Sequence, residues 1–77
     1  MDARDLASLN REEKEAVAMD LCQRFYERGE QSPVVAAVQA DARSYPFVGP
    51  TLCDCYEQIE YCTEKQLDGY LSADEES

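Results

Sequence analysis

Histidine is absent from this chain, and so is tryptophan. Without histidine there is no imidazole general base, no Ser–His or Cys–His catalytic pair, and none of the commonest metal ligand. The chain is therefore expected not to be an enzyme. Aromatic bulk is thin: two Phe and five Tyr carry all of it, and each buried tyrosine hydroxyl needs a partner. Cations are scarce as well, seven against seventeen acids, a net charge of -10. So acidic a chain is repelled by phosphate backbones and by anionic membranes. No apolar run approaches the roughly 18 residues of a membrane-spanning helix. The opening MDARDLASLN has neither a basic n-region nor an apolar h-region. A cytoplasmic location is expected, with Cys22, Cys53, Cys55 and Cys62 as reduced thiols.

What is present is a hydrophobic fraction of 44%, too high for a disordered acidic chain. A single helical domain is expected over residues 1–72, with a disordered acidic tail over 73–77. A chain this short buries only about 60–65% of its accessible surface on folding. Dimerisation or docking on a partner is a common remedy, and a homodimer is one candidate.

Helix signals follow one another along the chain. Residues 2–9 are a candidate for a short first helix anchored by Leu6 and Leu9. Asn10, with Glu13 three residues on, forms a capping-box pattern that opens a helix over 11–28, closed by Gly29. Its inward face is Val17, Ala18, Leu21, Cys22 and Phe25. Ser32-Pro33 starts a second helix over about 33–44, with Val34, Val35, Val38 and Ala42 at helical spacing and Tyr45 prolonging the series. Pro46 ends it, and YPFVGP over 45–50 is a stiff connection with Phe47 and Val48 tucked under the bundle. The sequence predicts an all-α fold, a compact bundle of three or four helices.

The stretch over 51–71 is the most informative. Wound as a helix, it places Leu52, Cys55, Tyr56, Ile59, Cys62, Leu67 and Tyr70 on one side. Asp54, Glu57, Glu60, Glu64 and Asp68 gather on the other, with Tyr61 among them. Thr51 caps its start and Thr63, followed by Gln66, is a second cap, so the stretch is either one bent helix over 51–71 or two, 51–62 and 63–71. The cysteines read better as small buried hydrophobes than as a zinc site, because Cys53 and Cys55 are too close for the usual ligand pair. No metal and no cofactor is expected.

The carboxylates read in two ways. Acidic faces keep small proteins soluble. Yet like charges at helical spacing cost a few tenths of a kcal/mol per pair, and only Lys65 interrupts this row. From residue 44 onward eight acids stand against that one lysine, whereas the first 43 residues mix nine acids with six bases. An unbroken helix would spread Asp54 to Asp68 over about 21 Å, with charges roughly 5–6 Å apart, close to nucleic-acid phosphate spacing. In size and charge the chain resembles the small acidic proteins that viruses and mobile elements use against host nucleases and RNA-guided defence complexes. The resemblance covers overall character, and no motif carries it. The acidic row is read as the docking face of an inhibitor or decoy, a nucleic-acid mimic that sets Asp54, Glu57, Glu60, Tyr61, Glu64 and Asp68 on the basic surface of a nucleic-acid-binding protein. The alternative is a helical adaptor, chaperone or assembly subunit whose exposed faces near Val34–Val38 and Tyr56–Tyr70 form an apolar groove. Binding of nucleic acid through a helix-turn-helix is disfavoured, since a recognition helix here lacks base-reading arginines.

Overall fold

The computed structural model describes residues 8–43 and 49–73. Four helices account for most of them, and the fold is all-helical: α1 (Arg11–Arg28), α2 (Pro33–Ala42), α3 (Leu52–Tyr61) and α4 (Glu64–Leu71). Expectations for a helix at 2–9, for Tyr45, Phe47 and Val48, and for residues 74–77 fall outside the described residues, Ser8, Leu9 and Ala73 excepted.

Each helix starts where a short polar side chain takes an orphan amide. Asn10 Oδ1 accepts from the Glu13 N–H at 2.8 Å while the Asn10 N–H donates back to Glu13 Oε1 at 3.1 Å. Ser32 Oγ accepts from the Val34 N–H at 3.2 Å, with Pro33 in the first helical position. Thr51 and Thr63 form reciprocal boxes with Asp54 and Gln66. At the other end of α1, Gly29 adopts φ 72°, ψ 20°, a left-handed conformation that suits a residue without Cβ, and its N–H donates to Phe25 O at 2.9 Å.

One boundary corrects the sequence reading. The second helix stops at Ala42 instead of Ser44, because Arg43 turns out to ψ 115°. Of the two readings of 51–71, the structure has the two-helix one. Cys62 and Thr63 are both extended, at ψ 161° and 162°, since Thr63 serves as the cap of α4 and a cap has non-helical dihedrals. Gly69 lies inside α4 without ending it.

The core lies where the helices meet: Ala18 and Cys22 from α1, Val34, Val35 and Val38 from α2, Cys55 and Ile59 from α3, Cys62 at the break, and Leu67, Tyr70 and Leu71 from α4. α1 packs on α2, α3 and α4, and α2 packs on both α3 and α4. Most side chains predicted to face inward do so, although Val17, Leu21, Phe25, Leu52 and Tyr56 are only half-buried around the rim. Two tyrosines satisfy their hydroxyls by crossing between elements. Tyr26 donates to Pro50 O at 2.6 Å and accepts from Gln39 Nε2 at 3.0 Å. Tyr70 donates to Asp41 Oδ2 at 2.6 Å and accepts from Gln58 Nε2 at 2.8 Å.

The break after α3 leaves carbonyls without helical partners, and Arg11 reaches across from the first turn of α1 to meet them. Its Nη2 lies 2.8 Å from Cys62 O, 3.1 Å from Ile59 O and 3.3 Å from Glu60 O, while Nε donates to Glu15 Oε2 at 2.9 Å. A guanidinium at a helix C-terminus also opposes the negative end of the dipole. Arg11→Met is expected to destabilise the fold by about 1–3 kcal/mol, the usual cost of losing hydrogen bonds made by a charged group. Arg11→Lys should recover little of it, because a single ammonium cannot spread over three carbonyls as a guanidinium fork does. Thr63→Ala should cost about 1 kcal/mol. Urea unfolding followed by circular dichroism measures all three.

Candidate functional site

The carboxylates predicted to form one row separate into two groups. On α4, Glu64 and Asp68 turn toward α1. Lys14 Nζ stands 2.9 Å from Asp68 Oδ1 and 3.2 Å from Glu64 Oε2, and Arg11 Nη1 lies 3.9 Å from Glu64 Oε1. Lys14 is buried among these partners, and Asp68 Oδ1 is enclosed with the ammonium as its compensating charge. Hydrogen bonds to Asp68 and then Glu64 hold the Lys14 ammonium above its ordinary pKa, outweighing desolvation. Two of the six predicted docking residues are thus committed to holding α4 against α1.

The other group lies on α3. Asp54, Glu57, Gln58 and Tyr61 recur at three- and four-residue spacing, so they share one helix face. That face meets the end of α2, where Asp41 and Ala42 complete an open cleft of about 250 Å³. Its negative groups do not all arise in the same way. Asp54 is held by its capping box, with Oδ2 accepting from the Thr51 N–H at 2.8 Å and the Thr51 hydroxyl at 3.0 Å. Asp41 is anchored by the Tyr70 hydroxyl and sits at the C-terminal end of α2, where the helix dipole adds to its negative potential. Glu57 is exposed and, among the described residues, makes no ion pair. Glu60 is exposed on the same helix but does not line the cleft.

Tyr61 closes the cleft and is 77% exposed, the one exposed large hydrophobic side chain among the described residues. Its ring offers a face to a cation next to carboxylates, an arrangement suited to a guanidinium. Tyr26 offers no comparable face, since its hydroxyl is spent on internal bonds to Pro50 and Gln39.

Asp41 and Gln58 were not among the predicted site residues. Gln58 had a signal, since it follows Glu57 and precedes Tyr61 on the same face. Asp41 had none, because only the packing of α2 on α3 brings it there. The apolar-groove expectation fares differently: Val34, Val35 and Val38 are at most 1% exposed and Tyr70 5%, so these side chains form core and present no groove. Among the described residues no group of His, Cys, Asp or Glu is arranged to hold a metal ion. No helix among them is long and apolar enough to cross a membrane. No protein-family profile, curated protein or solved structure matches the chain.

The tyrosines give the fold a definite response to alkali. Burial, followed by the hydrogen bond to Asp41, pushes Tyr70 up to about 12, and burial raises Tyr26 and Tyr56 as well. A pKa raised on folding means that the unfolded chain loses its proton first. The associated stability is complete below the ordinary tyrosine value of about 10 and is lost as pH rises through about 12. Lys14, also raised, acts in the same direction. Unfolding midpoints in urea should therefore fall as pH rises from about 10 through about 12, and Tyr70→Phe should flatten that fall.

Proposed function

We propose that this protein is a small acidic interaction module that docks on a basic surface of a partner protein, one that ordinarily binds nucleic acid, and so competes with that nucleic acid. The observation that carries this reading is the α2–α3 cleft, where Asp41, Asp54 and Glu57 converge beside the exposed ring of Tyr61. An internal cation reaches Glu64 and Asp68, whereas Glu57 and Glu60 have no ion pair among the described residues. The asymmetry of charge supports the same reading, as does the preorganisation of two cleft carboxylates by bonds that cost nothing at the moment of binding. The docking set is narrower than a continuous row: Asp41, Asp54, Glu57, Gln58 and Tyr61, with Glu60 beside them. Glu64 and Asp68 serve the fold.

A nucleic-acid mimic of this kind belongs to counter-defence or regulatory settings in which a basic channel must be blocked. Steering by a net charge of -10 speeds the encounter at low salt, and the cleft supplies specificity at contact.

Capture from a host lysate on the immobilised protein, washed at low and then high salt, tests the proposal. The expected catch is a basic nucleic-acid-binding protein that elutes with salt and is displaced by added DNA or RNA. Glu57→Gln with Glu60→Gln should weaken binding roughly tenfold, and Tyr61→Ala by a similar factor, from the loss of about 1–2 kcal/mol each. Glu64→Gln should weaken folding more than binding. Binding that survives high salt and all three changes would overturn the reading.

A further inference from the structure

The cleft between α2 and α3 is lined by Asp41, Ala42, Asp54, Glu57, Gln58 and Tyr61, with no lysine or arginine among these residues. At about 250 Å³ it falls below the roughly 300–1,000 Å³ of sites that enclose a whole small molecule, so it has room for one side chain. Its carboxylates do not gather around a single point: among the described residues no three potential ligands could hold a metal ion. The occupant that answers this charge is therefore a cation of molecular size.

Hydrogen bonds behind the cleft wall decide which cation. Tyr70 has one hydroxyl proton, and an ionised carboxylate only accepts, so the 2.6 Å bond to Asp41 Oδ2 uses that proton. Tyr70 Oη is then an acceptor toward Gln58, whose Nε2 donates to it at 2.8 Å. The amide cannot turn over, because its carbonyl would meet an oxygen with no proton left to give. Nε2 is held at Tyr70, and Oε1 is the group that Gln58 offers to the cleft. Asp41 likewise keeps Oδ1, and Glu57 is exposed with no ion pair among the described residues. Asp54 Oδ2 serves the Thr51 cap and contributes charge. Acceptors thus come from α2 and from successive turns of α3, beside the exposed ring of Tyr61.

Taking this cleft as the docking site proposed above, we infer that it receives the guanidinium of a single arginine from the partner, in preference to lysine. A guanidinium is planar and carries five N–H donors around its edge. It can serve Asp41, Glu57 and Gln58 Oε1 together while its face lies on the Tyr61 ring. An ammonium is a compact, strongly hydrated point charge with no plane to lay on that ring. Tyr70 does not line the cleft and is a positioning residue, acting through Gln58 and Asp41.

The test is a nuclear magnetic resonance titration of the isotope-labelled full chain with Nα-acetyl-arginine amide and, separately, Nα-acetyl-lysine amide at equal ionic strength. The arginine probe should shift the Gln58 side-chain amide and the Tyr61 backbone amide, with a Kd on the order of millimolar. The lysine probe should bind about tenfold more weakly. Tyr61→Leu should erase most of that preference. Tyr70→Phe, which releases the Gln58 amide, should do so too, and Gln58→Leu should have the same effect with Tyr70 in place. Glu57→Gln should weaken both probes. Glu30→Gln, the same charge change beyond the opposite end of α2, should leave both as they were. Equal affinity for the two probes, shifts lying away from the cleft, or a preference unchanged in both Tyr61→Leu and Gln58→Leu would overturn the inference. None of these results alters the salt-dependent capture from lysate, so failure of the arginine site and failure of the docking reading are told apart by separate experiments.

Discussion

The first turn of α1 holds this fold together from the side. Arg11 and Lys14, one helical turn apart, project onto the junction between α3 and α4. Arg11 supplies donors to the carbonyls freed where α3 ends, and Lys14 binds the two carboxylates that begin and line α4. The chain has few cations and uses two of them here, at the point where its backbone would otherwise be least satisfied. The ion pairs are partly shielded and gather several hydrogen bonds each, which distinguishes them from scattered surface pairs such as Asp20–Arg24. Removing either cation would leave acceptors or charges facing one another in a confined space.

This clamp also divides the acidic surface. Cations from the mixed-charge N-terminal half pair with Glu64 and Asp68 on α4, whereas Glu57 and Glu60 on α3 make no ion pair among the described residues. Glu57 borders the cleft between α2 and α3. The Thr51 hydroxyl and amide help to position Asp54 there, and the Tyr70 hydroxyl positions Asp41. A site of this kind keeps its electrostatic potential and loses its freedom of movement, the combination that favours a charged partner.

The composition of the core explains why so small a chain relies on such polar fastening. With no Trp and two Phe, the fully buried side chains are mainly Val, Leu, Ile and Cys. Tyr26 and Tyr70 add area only because their hydroxyls reach partners on other elements, so each ties two segments together while it fills space. Cys22 and Cys55 belong to the same economy of small groups, filling the core where α1 and α3 pack.

Local chemistry was legible in the residues themselves. The start of each of the four described helices was visible as a cap, because capping depends on groups within three residues of each other, and the inward stripe followed from helical periodicity. Whether 51–71 formed one helix or two was not decidable on those terms, since Thr63 as a cap competes with a continuing apolar stripe; the tertiary bonds from Arg11 to Ile59, Glu60 and Cys62 favour the break. The fate of each carboxylate was equally out of reach. Glu57 and Glu64 look alike on a helical wheel, but one borders an open cleft and the other meets Lys14, fifty residues away in sequence. Asp41 joined the site by the same route. The sequence alone determined the helices, their inward faces and the excess of acid; the tertiary structure decided which acids are neutralised, because ion pairing depends on distance in space and no local pattern encodes it.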